Sequence, residues 1–211
     1  MEKSHFNELV DQGFNHIPVS RELIVDTDTA LALYLKVANT PYSYFLESVQ
    51  GGEKWGRYSF IGLCAQTVIK VFDYQVTIEK NGAAIETQEV EDPLAWIEEY
   101  QAQFKVPKLD NLPDFNGGLV GYFGYEIIRY IEPKLAHLDK PDELNVADIL
   151  LMLSNDLLVV DNLSSTAHII THINPEESRY EDAIARLDEI EAQIKEPLAE
   201  QASEPANIKA E

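Results

Sequence analysis

An α+β fold built mainly from antiparallel strands is predicted by three features of this chain. Short runs of alternating apolar and polar residues recur through it, tight turns separate many of those runs, and a few capped helical segments flank them. Residues 3–12 read as an opening helix. Asp28 or Thr29 caps a second, whose face carries Leu31, Tyr34, Leu35 and Ala38. An aromatic-rich strand follows at 42–48, and its partner runs from Arg57 to Leu63. Strands at Thr67–Phe72, Gln75–Lys80 and 83–89 come next, so the stretch reads as a meander. Asn81-Gly82 forms the turn before the last of them, because a two-residue hairpin of this type needs positive φ at both positions.

Asp92-Pro93 opens a helix with an aspartate cap and a proline at its first position, directing Leu94, Ile97 and Phe104 inward. A proline-bearing loop from Val106 to Phe115 leads to a glycine-rich strand within 117–125. After a loop around Pro141, strands at about 147–153 and 156–161 meet at Ser154-Asn155. A turn over Asn162–Ser165 introduces Thr166–Ile173. Asn174-Pro175-Glu176-Glu177 is expected to begin the last helix, striped by Tyr180, Ile184, Leu187 and Ile194. From Glu196 the composition turns to Glu, Ala, Pro and Gln, which gives a domain over 1–195 and a linker or tail over 196–211.

Composition restricts the function classes. The 211 residues carry 37 acidic against 16 basic side chains, a net charge of −21 that repels phosphate backbones and anionic membranes. Nucleic acid and membrane are therefore not expected partners. No window of about 18 apolar residues spans a bilayer, and the N-terminus lacks a signal peptide's apolar core. The single cysteine, Cys64, suits a reducing cytoplasm and reads as a small core residue.

Several patterns that suggest chemistry have simpler explanations. His168 and His172 are four apart, but their β-branched neighbours make the segment extended, which separates the rings by about 13 Å, too far for one ion. No metal site is expected. Gly118, Gly121 and Gly124 interrupt aromatics within a strand and do not open a helix, so they indicate close packing or a bulge. Tyr122 and Tyr125 suit core or interface packing better than ligand contact. Adjacent acids such as Glu98-Glu99 and Glu176-Glu177 do not converge on one point of a helix. No catalytic residue is assigned.

The run from Tyr42 to Gly62 is the most informative. It places the polar pair Glu47-Ser48 among apolar neighbours, then a turn at Gly51-Gly52, then a strand opening with Arg57. On the residues alone, Glu47 and Ser48 read as strand-end polar groups or as part of an amino-acid clamp. In the clamp, Glu47 takes a ligand ammonium and Arg57 meets a carboxylate. The same run resembles the N-terminal region of component I of anthranilate synthase, a chorismate-utilising family. Phe14-Asn15-His16-Ile17-Pro18, Gly117 to Tyr125 and Asp148 to Met152 agree with it in the same order.

That resemblance implies a regulatory and scaffold lobe in tryptophan biosynthesis, with L-tryptophan held against Ser48 and Glu47 and with Arg57 nearby. It also implies that the chorismate- and magnesium-binding residues lie in a C-terminal catalytic half beyond this chain. The lobe would then carry no cofactor and be inactive alone. The implied partners are that catalytic half and a glutamine amidotransferase subunit that supplies ammonia. The corresponding lobe of aminodeoxychorismate synthase, or a pure interaction module for the amidotransferase, are the alternative readings.

Overall fold

A computed structural model describes residues 1–47, 56–135 and 144–198, arranged as two five-stranded antiparallel sheets with flanking helices. The α+β expectation holds. The first sheet runs β1 (Ile17–Ile24), β10 (Thr166–Ile173), β9 (Asp156–Asp161), β3 (Tyr58–Gly62) and β2 (Tyr44–Glu47). The second runs β6 (Ala83–Glu89), β5 (Gln75–Lys80), β4 (Thr67–Phe72), β8 (Ile149–Ser154) and β7 (Gly118–Phe123). The helices are α1 (Lys3–Asp11), α2 (Ala30–Val37), α3 (Pro93–Ala102), α4 (Ile128–Ile131) and α5 (Tyr180–Lys195). The turn at Gly51-Gly52, the loop around Pro141 and the tail from residue 199 lie outside the described residues.

The chain passes between the sheets twice, between β3 and β4 and between β8 and β9. The meander is confined to β4, β5 and β6, because β3 pairs with β2 and β9 in the other sheet. Asn81 and Gly82, at φ 53° and 77°, form the β5–β6 turn as expected. Strands β8 and β9 meet at Asn155 without pairing: β8 lies between β4 and β7, while β9 lies between β3 and β10.

The larger core joins α1, α2 and α5 to the first sheet, with Phe6, Leu33, Leu187 and Ile190 packed among Ile17, Ile61, Leu158 and Ile169. A smaller core sets Ile97 of α3 against Ile69, Val71, Ile149 and Leu151 of the second. The caps form as the sequence implies at Thr29, whose side chain accepts from Ala32 N–H, and at Asp92, which accepts from Leu94 and Ala95.

Four local expectations are corrected. Helix α2 buries Ala30 and Leu33 and leaves Leu31 exposed. It is apolar on most sides, so docking and not periodicity selects its inward face. Helix α5 begins at Tyr180, since Asn174 caps only a separate turn through Glu176 N–H, and the Asp182 carboxylate accepts from Arg179 N–H. Cys64 is exposed, at the point where the chain leaves the first sheet for the second. Strand β1 is absent from the sequence reading. Pro18 is tolerated there because β1 is an edge strand, paired only with β10.

Candidate functional site

Strand β2 is the other edge of the first sheet, and the sequence explains how it is fixed. Tyr44 lies opposite Gly62 in the β2–β3 pair, where a Cβ would sit 1.9 Å from the tyrosine ring. Only glycine lets that ring lie across β3. The Tyr44 hydroxyl then shares a 2.7 Å hydrogen bond with Ser154 Oγ at the end of β8, and burial raises its pKa. Lys70 of β4 stands 5.4 Å from the centre of the Tyr42 ring and is paired with Glu79 at 2.8 Å. Phe45 stacks on Tyr34 of α2, ring centres 5.6 Å apart. The start of β2 is thus bound to both sheets and to α2.

Its far end is different. Leu46 and Glu47 are exposed, so Glu47 is not the buried carboxylate that its apolar neighbours suggested. The reason is its place at the end of a short edge strand, paired on one side only. Ser48 lies outside the described residues. Across the pair, Glu47 faces Ser59, which is fully buried and accepts from Asn162 Nδ2 at 3.0 Å.

Arg57, just before β3, is held by the chain itself. Its Nε lies 3.0 Å from both carboxylate oxygens of Asp161 and its Nη2 donates to Oδ2 at 2.6 Å, a two-pronged contact. The guanidinium also sits 5.0 Å over the Tyr58 ring. Asp161 is buried at the end of β9, where Arg57 first and the N–H groups of Leu163 and Ser164 next hold its pKa down to about 2. A ligand carboxylate reaching Arg57 would meet only the donors that Asp161 leaves unused. Asp161 has no local signature; it is found only through the β3–β9 pairing.

The structure also assembles a pair that the sequence does not suggest. His172 is not partnered by His168 but stacks on His16, ring centres 4.6 Å apart. His172 Nδ1 donates to the Asn155 carbonyl at 3.1 Å, since a carbonyl only accepts. Both imidazoles stay neutral. Burial lowers the His16 pKa to about 3, assisted by His172, and burial lowers the His172 pKa to about 4. Among the described residues no group of three His, Cys, Asp or Glu side chains is placed to hold a metal ion. No helix there is long and apolar enough to cross a membrane.

Comparison with known proteins places these features in a family. Residues 43–211 match the family of chorismate binding enzymes, and the chain belongs to it. Anthranilate synthase component 1 of Pseudomonas aeruginosa is 49% identical over 199 residues, covering 94% of this chain and 40% of that protein. The Neisseria meningitidis serogroup B protein of the same name is 45% identical over 201 residues, covering 93% and 41%. The chain therefore spans about two fifths of the length of these relatives. Among solved structures, anthranilate synthase component I from Streptococcus pneumoniae shares the fold at a TM-score of 0.54 and 22% identity, over 83% of this chain and 37% of that one.

Proposed function

We propose that this chain is the tryptophan-sensing and scaffold lobe of an anthranilate synthase component 1, a lyase that converts chorismate and glutamine-derived ammonia to anthranilate and pyruvate. The observation that carries this reading is 49% identity to such a protein over 94% of the chain. The lobe is cytoplasmic and not catalytic alone. Its partners are a C-terminal catalytic half and a glutamine amidotransferase subunit. Magnesium would be held in that catalytic half, and none of the steps assigned to this chain passes through it.

In this reading L-tryptophan binds at the open end of β2. The exposed Glu47 carboxylate accepts from the ammonium, the Ser48 hydroxyl hydrogen-bonds the amino acid, and the unused donors of Arg57 meet the carboxylate. Asp161 fixes the direction of Arg57 and keeps it charged. Feedback inhibition then follows if tryptophan binds more tightly to the lobe arrangement in which the catalytic half takes chorismate poorly. A coupling of about 1–3 kcal/mol is ordinary for such a device.

Calorimetric titration with L-tryptophan, with L-phenylalanine as control, tests the site. Heat specific to tryptophan is expected, with affinity reduced about tenfold or more by Ser48→Ala. Where the catalytic half is needed to complete the pocket, the same variant in the full-length enzyme should raise the tryptophan concentration required for inhibition and leave uninhibited turnover nearly intact. Unchanged inhibition there would remove the site from β2.

A further inference from the structure

The edge of a sheet offers a row of unpaired N–H and C=O groups, and proteins blunt it with charge, proline, a bulge or short length. Among the described residues, three of the four sheet edges carry such a device. Strand β1 has Pro18 and the charged pair Arg21-Glu22, and Arg21 is tied to Asp188 of α5 at 2.7 Å. Strand β2 is four residues long and ends on Glu47. Strand β6 carries Glu86 and Glu89, and its register with β5 shifts between Ile78 and Glu79. Strand β7 has none of these. Its six residues, Gly118-Leu119-Val120-Gly121-Tyr122-Phe123, pair with β8 in unbroken register from Gly118–Ser154 to Phe123–Ile149.

The apolar surface continues beyond the strand. Phe123 is 49% exposed, Tyr125 88% and Ile131 of α4 60%, and Tyr122 and Ile128 are exposed as well. These groups are mounted on a fixed backbone. The Tyr122 hydroxyl donates to the Ala147 carbonyl at 3.0 Å, while Arg129 and the Tyr130 hydroxyl both donate to the Asp148 carboxylate, at 3.1 and 2.8 Å. At Gly121 a Cβ would lie 1.9 Å from the Leu150 carbonyl oxygen, so glycine is what lets β7 lie flat on β8. A surface held in this way is preorganised, which lowers the ordering cost of docking.

The character of the patch selects its occupant. Permanent interfaces are the more apolar ones and resemble a core cut in two, whereas subunits that come and go meet through more polar surfaces. An unblunted strand edge beside exposed aromatics therefore requires a cover that stays in place. A second copy fits poorly: each chain carries a charge of −21, and Glu126 and Glu132 lie among the patch residues. Arg129 cannot offset them across a dyad, since Asp73, Glu126 and Asp148 already hold it. A segment of the same polypeptide meets the requirement, and the relatives, of which this chain spans about two fifths, are long enough to contain one.

We infer that β7 is the seat of the C-terminal catalytic half, which adds a strand to the free edge of the second sheet and packs apolar side chains on Tyr125, Ile128 and Ile131. This rests on the reading of the chain as one lobe of a component 1 and assigns the surface through which that lobe meets the other.

Hydrogen exchange followed by mass spectrometry, in the full-length enzyme and in this chain, tests the assignment. Residues 118–131 should exchange about tenfold or more slowly in the full-length enzyme, and residues 83–89 of the blunted β6 edge should exchange alike in both. Tyr125→Asp combined with Ile131→Asp, both at exposed positions, should restore fast exchange at 118–131 in the full-length enzyme and leave the urea midpoint of this chain unchanged. Equal exchange of 118–131 in the two proteins, protection at 83–89 instead, or protection that survives the double variant would overturn the assignment. Protection in this chain alone that grows with its concentration would give the edge to a second copy and overturn it too. A full-length enzyme that forms no anthranilate from chorismate would refute the proposed function whatever β7 does, so the two failures are read separately.

Discussion

In the first sheet, β9 and β10 bury successive residues, whereas in the second sheet β5 buries every other one. Ile169 and Ile170 are both fully inaccessible, as are Leu157, Leu158 and Val159. One face of these strands joins α1, α2 and α5, and the other packs against Tyr58, Phe60, Leu112 and Phe115. Strand β6 is exposed along most of its length and β7 along its second half. The first sheet is thus covered on both faces at its centre, while the rim of the second remains open. A strand buried on both faces reads as a continuous apolar run, and one with a solvated face alternates. Strand β2 is the edge of the two-sided sheet.

The largest expected effect sets the two sheets directly against each other. Leu158→Ala, at the centre of the first, should cost about 2–5 kcal/mol through lost transfer energy and a residual cavity. Ile85→Ala, 61% exposed on β6, should change stability by less than about 0.5 kcal/mol. Urea unfolding of both variants measures this, and similar losses would break the comparison.

Acid should act next, and on the two-sided sheet in particular. His16 and His172 titrate near 3 and near 4 in the folded chain because burial disfavours the imidazolium, against about 6.5 when unfolded. Between those values the unfolded state binds more protons, so stability is complete above about pH 6.5 and falls as the pH drops toward 4 and then 3. Unfolding midpoints taken from about pH 7 to about pH 4.5 should decrease. His16→Phe should flatten that slope; an unaltered slope would place the acid sensitivity elsewhere.

A smaller effect is expected at the edge. Asp161→Asn removes the two-pronged hold on Arg57 and should lower the urea midpoint by less than Leu158→Ala does, because Arg57 is exposed and solvent screens the pair. The wild-type contribution of Asp161 is present above about pH 4 and is lost as the pH falls through about 2, the sign expected for a lowered carboxylate pKa. If Arg57 assists tryptophan binding, the same variant should weaken that binding more than it weakens the fold.

Local chemistry was legible wherever it suffices to fix the backbone. Asn81-Gly82 has to accept positive φ, Asp92-Pro93 caps its own helix, and the β-branched run around His168 and His172 can only be extended. The sequence also carried the motif likeness that agrees with the family match over residues 43–211. Environment was less legible. Glu47 and Cys64 both have apolar neighbours in sequence and both are exposed, because one ends an edge strand and the other bridges the sheets.

By itself, then, the sequence determined the α+β class, most strands and the helix caps at Thr29 and Asp92. All of these follow from interactions within a few residues, through φ preference, capping and alternation. Tertiary structure alone decided which strands share a sheet, which face of α2 is inward, that Arg57 is committed to Asp161 and that His16 lies on His172. Those outcomes depend on pairing between residues far apart in the chain, where register and burial are chosen by the whole core and not by any local pattern.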